Sequence, residues 1–166
     1  MKTYLIIFLL LLGGAQYGFA QENSSRKHAI GLRFANNDGF GTEVNYQLRL
    51  GGNNRLEFGM GWKSKDDTNQ LKTVALIQWV FPLDGNFHWY AGGGAGVGHI
   101  SFDSDFPGDP DDETYLYLAG NAGIEYDFNI PIMIFFDMRP EFGLGESIFF
   151  DDFEFEFGFG IRYQWN

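Results

Sequence analysis

The chain contains no cysteine, which excludes disulfides and a lipidated N-terminal cysteine. Basic residues are scarce, with 11 Lys and Arg against 22 Asp and Glu. No basic patch could neutralise a run of phosphates, so nucleic acid is excluded as a partner. Long hydrophobic runs are also missing. The apolar stretch Leu5–Leu12 is far short of the roughly 20 residues that a spanning helix needs. Gly92, Gly93, Gly94, Gly96 and Gly98 never fall into a Gly-x-Gly-x-x-Gly spacing, and an acidic segment follows them instead of a helix. They are read as packing glycines, which make room for bulky neighbours and let a strand coil tightly.

Near the start, Lys2 precedes the apolar run, and small residues follow it up to Gly18-Phe19-Ala20. This order describes a secretory signal peptide over residues 1–20, with Gln21 as the new N-terminus. Lys2 is the only charged residue in that segment, so the mature net charge becomes −12. Residues 21–166 are enough for one domain.

What the chain has in abundance is alternation. Over 153–165 one set reads Phe153, Phe155, Phe157, Phe159, Ile161, Tyr163, Trp165, and the set between reads Glu154, Glu156, Gly158, Gly160, Arg162, Gln164. A period of two places the sets on opposite faces of a strand. Six large aromatics on one face exceed what a narrow barrel could enclose, so that face suits lipid and the charged face turns inward. Seven further period-two segments are read at about 29–35, 40–50, 55–63, 71–81, 87–100, 114–128 and 132–142. In the fourth, Ile77, Trp79 and Phe81 point outward and Lys72 and Gln78 inward. Eight is an even number, as bacterial single-chain barrels have. The fold class expected is all-β: an eight-stranded antiparallel up-and-down transmembrane β-barrel.

The connections differ in character. Gly51–Asn54, Pro82–Asn86 and Asn129–Pro131 are short and rich in turn residues. Ser64–Gln70, Ser101–Glu113 and Gly143–Asp152 are read as longer polar loops, and Asn36–Gly39 as a short one. Short periplasmic turns and longer external loops are the pattern of outer-membrane barrels, with both termini periplasmic. Trp79, Phe81, Phe87, Trp89, Tyr126, Phe128, Tyr163 and Trp165 would then form an aromatic belt near the periplasmic interface.

These segments resemble a family. Phe81-Pro82-Leu83 with Phe87-His88-Trp89-Tyr90-Ala91-Gly92-Gly93-Gly94-Ala95-Gly96 looks like the fourth turn and fifth strand of small Gram-negative outer-membrane barrels, often labelled porin-family β-barrel domains. Asp137-Met138-Arg139-Pro140-Glu141-Phe142 is similar to their seventh strand. Gly160, Tyr163 and Trp165 look like their C-terminal strand signal. The resemblance implies an eight-stranded barrel of the OmpA/OmpX type, and recognition of Gly160, Tyr163 and Trp165 by the outer-membrane assembly machinery. It implies little about activity. The periplasmic peptidoglycan-binding domain of some members has no counterpart here.

The inward set contains Arg33, Glu43, Arg49, Arg55, Glu57, Glu125, Asp137, Arg139, Glu141, Glu154, Glu156 and Arg162. Charges buried in so narrow a barrel must pair, and a salt-bridged plug is expected. His99 and Ser101 form a His-x-Ser pair that looks like part of the site of barrel-type lipid A deacylases. A serine nucleophile needs a base and an orienting carboxylate, for which only Glu113 or a loop Asp is near. A polar strand end is the preferred reading. His28 and His88 have no partner pattern, and nothing has metal-ligand spacing. The acidic stretches Asp103–Glu113 and Glu146–Asp152 are read as solvated loops, the first also as a weak divalent-cation contact, such as cations bridging lipopolysaccharide phosphates.

The expectation is a monomeric, non-enzymatic outer-membrane barrel without cofactor, structural or adhesive in role. Its partners would be lipid, lipopolysaccharide and the assembly machinery. The alternatives are a lipid A hydrolase using His99 and Ser101, and a secreted lipocalin-like binder of an apolar ligand.

Overall fold

The computed structural model describes residues 26–36, 41–65, 68–102, 112–144 and 153–166. The expected signal segment therefore lies outside the described residues. Eight strands follow in chain order: β1 His28–Asn36, β2 Thr42–Gly51, β3 Asn54–Lys65, β4 Thr68–Asp84, β5 Phe87–Phe102, β6 Glu113–Asp127, β7 Ile132–Leu144 and β8 Phe153–Trp165. Each pairs antiparallel with its sequence neighbour, and β1 pairs with β8 to close the barrel. The closing ladder runs from His28↔Trp165 to Asn36↔Phe157. Closure leaves no strand edge, which is the condition for β-structure in hydrocarbon.

Alternation survives in three dimensions. In β8 the even positions from Glu156 to Gln164 are buried, while the odd positions from Phe153 to Trp165 are exposed. Phe159 is 61% and Trp62 57% exposed, whereas Glu57 and Arg162 are fully buried. A water-soluble protein of this size would not display so continuous an apolar exterior.

The structure corrects several boundaries. β3 and β4 stay paired up to Lys65↔Thr68, so only residues 66–67 separate them and the long loop expected at Ser64–Gln70 is not formed. Ladder hydrogen bonds need no apolar side chains, so a polar hairpin can continue beyond the point where the alternation fades. Pro82 also belongs to β4: the strand continues to Asp84, with a register irregularity between the two. Proline is tolerated there because Val80, two residues earlier, donates its N–H toward the β3 side, so the N–H that Pro82 lacks would point past the end of the β3–β4 ladder. Gly52 (φ 56°) and Gly85 (φ 52°) supply the left-handed backbone of the two tight turns that follow β2 and β4. These turns, with that after β6, mark one mouth of the barrel, the short-turn mouth. The ends of β5 and β7 and the starts of β6 and β8 lie at the other.

The interior is not charged throughout. Val74, Leu76, Ile100, Tyr115, Tyr117 and Ala119 form a buried apolar cluster on the inner wall of β4–β6, with Phe102 packed against it. Glycines make room for it. A Cβ on Gly96 would lie 2.2 Å from the Tyr117 ring and 2.4 Å from the Thr73 carbonyl oxygen, and one on Gly98 would lie 2.2 Å from the Tyr115 ring. On the same strand but facing outward, Gly93 has only the Ala119 carbonyl oxygen nearby, at 3.4 Å. Gly96→Ala should therefore lower unfolding stability by about 1–3 kcal/mol through overpacking, while Gly93→Ala should stay within about 0.5 kcal/mol. Urea titration of the protein refolded in detergent measures both, and equal losses would show that strand conformation, not inner-wall space, sets the requirement.

Candidate functional site

The charged inward residues of distant strands meet across the lumen. Arg139 grips Glu43 with two hydrogen bonds, Nη1 to Oε2 at 2.6 Å and Nη2 to Oε1 at 3.3 Å. Its Nη2 also donates to Glu57 Oε1 at 3.4 Å. Arg162 donates to the other Glu57 oxygen at 2.9 Å and to Asn45 at 2.7 Å, and its guanidinium lies 3.5 Å from the Phe135 ring centre. Gln47 adds a third donor to Glu57 at 2.6 Å. Gln78 adds a fourth at 3.3 Å, so Glu57 is held by donors from β2, β4, β7 and β8, which offsets the large penalty of burying a carboxylate.

A second group joins Arg33 to Asp137 and Glu156, each at 3.0 Å. Tyr90 donates to Asp137 at 3.2 Å. Arg55 reaches Glu125 and also donates to Gln78 at 2.6 Å. Lys72 bonds Glu141 and stands 3.7 Å from both Glu154 and Glu156. Three carboxylates gathered in one place therefore already hold a resident cation, the Lys72 ammonium. Space for the long cations comes from glycine: a Cβ on Gly158 would lie 2.5 Å from Arg33 Nε, and one on Gly31 2.6 Å from Arg162 Cγ.

Arg49 stands apart from this network. It is half-buried near the short-turn mouth, directly across the β2–β3 ladder from Arg55. Among the described residues it has no ion pair within 4.0 Å, whereas Arg55 pairs with the buried Glu125. Lys72, Tyr90, Asn45, Gln47 and Gln78 belong to the interior although the expected network did not include them. Period two signalled the inward faces of Lys72 and Gln78; the glycine-rich β5 hid that of Tyr90.

On the outside, Phe81 stacks on Trp89 with ring centres 4.6 Å apart, and Tyr126 meets Phe87 at 4.6 Å and Phe128 at 4.8 Å. Trp165 stacks on His28 of β1 at 5.5 Å and lies 6.3 Å from Tyr163. Trp79 is 44% exposed on the same outer surface. Gly160 faces inward, where a Cβ would meet the Phe135 ring at 2.5 Å.

His99 and Ser101 do share the outward face of β5, yet they do not engage each other. His99 Nδ1 pairs with the Thr114 hydroxyl at 2.9 Å, and Nε2 faces Asp112 at 3.9 Å. Ser101 donates instead to the Asn69 carbonyl oxygen at 3.4 Å. No hydrogen bond joins serine to histidine among the described residues, so the proton path a nucleophile needs is not assembled. Asp103 to Asp111 and Glu146 to Asp152 lie outside the described residues.

His88 does acquire partners. It pairs across the β5–β6 ladder with Glu125, and Asp127 is two residues further along the same face. One donor atom from each of the three lies within 4.8 Å of the others. The ligand spacing is cross-strand, which no interval along the chain could display.

No protein-family model matches the chain, and no curated protein matches it in sequence. Solved structures do. The N-terminal β-barrel domain of Pseudomonas aeruginosa OprF superimposes with a TM-score of 0.66 at 15% identity, covering 84% of this chain and 98% of that one. Neisserial surface protein A gives 0.59 at 14% identity, covering 84% and 95%. Ail, the attachment invasion locus protein of Yersinia pestis, gives 0.55 at 15% identity, covering 84% and 99%. The chain has the closed eight-stranded fold of these transmembrane barrels.

The interior network generates a test. Arg139→Met leaves Glu43 without its bidentate partner and removes one donor from Glu57. It should lower stability by about 3–5 kcal/mol, the typical effect of breaking a buried pair. Adding Glu43→Gln should restore at least about 1 kcal/mol of that, because the stranded charge is gone. Urea unfolding of the single and double variants decides it; a double variant no more stable than Arg139→Met would argue against the pairing.

Proposed function

We propose that the chain is an outer-membrane barrel protein with a lumen closed by its own side chains, structural or adhesive in role and without chemistry. The observation that carries this reading is the inversion of polarity: phenylalanine, tryptophan and isoleucine outside, paired arginines and carboxylates inside. Such an exterior is stable only against lipid, and such an interior only when its charges are paired. A lipocalin-like binder would need an apolar cavity, whereas Arg33, Arg139 and Arg162 are among the largest fully buried side chains here. The partners would be lipid, lipopolysaccharide and the assembly machinery, with the protein acting as a monomer. Detergent-dependent recovery from the outer-membrane fraction supports the location; recovery as a soluble periplasmic protein overturns it.

Adhesion would run through the long connections. Ail has been crystallised with the heparin analogue sucrose octasulfate. Here the connection between β5 and β6 carries Asp103, Asp105, Asp109, Asp111 and Asp112, and β6 opens on Glu113. Polysulfates would be repelled by that charge, and cationic surfaces or weakly held divalent cations suit it better.

With arginine and tyrosine side chains across the lumen, the barrel should give no stable conductance in planar bilayers. A reproducible large channel, abolished by substituting an inward residue such as Arg139, would contradict the closed lumen.

Trp165 lies on the closing seam against His28 and ends the sequence pattern that resembles an assembly signal. Trp165→Ala should lower the amount of folded protein in cells while the purified chain still refolds in detergent. Equal loss in both settings would assign the residue to stability alone.

A further inference from the structure

We propose that His88, Glu125 and Asp127 form a binding site for a divalent transition-metal cation at the short-turn mouth of the barrel. His88 is the second residue of β5 and Asp127 the last of β6, so the ladder that joins these strands fixes their distance. Glu125 is 2% exposed, while the side chains of His88 and Asp127 are 24% and 16% exposed. The deepest ligand is therefore held inside, and the other two border the mouth from which an ion would enter.

Hydrogen bonding among the three is incomplete. His88 Nδ1 faces Asp127 Oδ2 at 3.7 Å, too far for a hydrogen bond, and Nδ1 is buried without any hydrogen-bond partner. Glu125 is paired with Arg55, whose Nη1 donates to Oε1 at 2.9 Å and lies 2.8 Å from Oε2, and a carboxylate keeps lone pairs beyond this one donor. A buried imidazole nitrogen without a hydrogen-bond partner thus stands beside two carboxylates in one small space. Donor atoms on a tetrahedral zinc are roughly 3.4 Å apart, given bonds of about 2.1 Å. The three donors lie within 4.8 Å of one another, so small side-chain rotations would bring them onto one ion.

The groups around the donors suit that role. Gln164 Nε2 donates to Asp127 Oδ1 at 2.8 Å, which fixes the carboxylate and leaves Oδ2 toward the histidine. Arg55 orients the Glu125 carboxylate through its ion pair. Outer partners of this kind orient metal ligands and hold their geometry. Arg55 and the half-buried Arg49 also offset the two carboxylates, so net charge cannot supply the affinity. Imidazole and carboxylate donors must supply it, which favours zinc and its neighbours over calcium or magnesium. The Glu141, Glu154 and Glu156 cluster offers no imidazole, and the Lys72 ammonium stands against all three of its carboxylates.

The test is calorimetric titration of zinc chloride into the full chain purified in detergent, backed by cobalt absorption spectroscopy. We expect one saturable site with a dissociation constant on the order of micromolar, and a cobalt spectrum with visible bands that zinc abolishes and excess calcium does not. His88→Ala should abolish the site, and Gln164→Ala, which touches no ion, should weaken it roughly tenfold. His99→Ala, which removes the exposed histidine beside Asp112, should leave it unchanged. Heat-modifiable gel mobility reports whether each variant is folded; if His88→Ala does not fold, His88→Gln replaces it. Absence of saturable zinc binding to the parent overturns the proposal, as does binding that persists without His88 or is lost with His99.

Discussion

Backbone hydrogen bonding in the absence of water is the constraint on which the rest of this structure depends. In hydrocarbon an unpaired N–H or C=O costs several kcal/mol, so the chain can cross only if each strand finds a partner on both sides. The β1–β8 ladder, from His28↔Trp165 to Asn36↔Phe157, supplies the last of these partners. Everything else accommodates it. Pro82, which has no N–H to give, sits where the β4–β5 register slips near the mouth. Pro140 lies in the middle of β7, and there the ladder with β6 passes from Ala119↔Glu141 to Ala122↔Met138 without pairing the residues between.

Closing eight strands also fixes how much fits inside. The lumen divides into two chemistries, and each solves the same packing problem with glycine. On the β4–β6 side the inward glycines of β5 make room for Tyr115 and Tyr117. On the opposite side Gly31 and Gly158 make room for the stems and heads of Arg162 and Arg33. Long side chains anchored on one strand thus lie over the bare backbone of another. This is why a strand such as β8 alternates phenylalanine outside with both glutamate and glycine inside. The glycines are not gaps in the network but the floor on which it rests.

The faces were legible in the sequence and the pairings were not. Period two assigned Trp79 outward and Gln78 inward from the residues alone, because side-chain direction is a local property of a strand. Partner choice across a lumen is not local. Arg139 and Glu43 are 96 positions apart, and nothing near either one announces the other. The same limit hid His88, whose companions on β6 are reached through the ladder and not through spacing. Strand ends were missed for a different reason. Apolar alternation reports contact with lipid, whereas β3 and β4 keep pairing through Ser64↔Asn69 and Lys65↔Thr68, where the sequence is polar. The apolar inward residues Val74 and Leu76 blurred the fourth segment, since a strand apolar on both faces has no period to read.

Why the interior should carry charge at all follows from the same geometry. A strand moved by one residue against its neighbours exchanges its two faces completely. With an apolar lumen that exchange would be nearly neutral, because either face would be tolerated by lipid and by the core. With Glu154, Glu156 and Arg162 on the inner face of β8, a one-residue slip would instead turn these charges toward hydrocarbon. An arginine or lysine there costs about 2–4 kcal/mol at the bilayer midplane, and its lost partner inside the barrel costs more. The slip would also bring Phe155, Phe157 and Phe159 into a lumen already occupied by Arg33 and Phe135. The buried ion pairs therefore weigh against a slipped register. The glycines sharpen that selection, because the space they leave fits the native register alone.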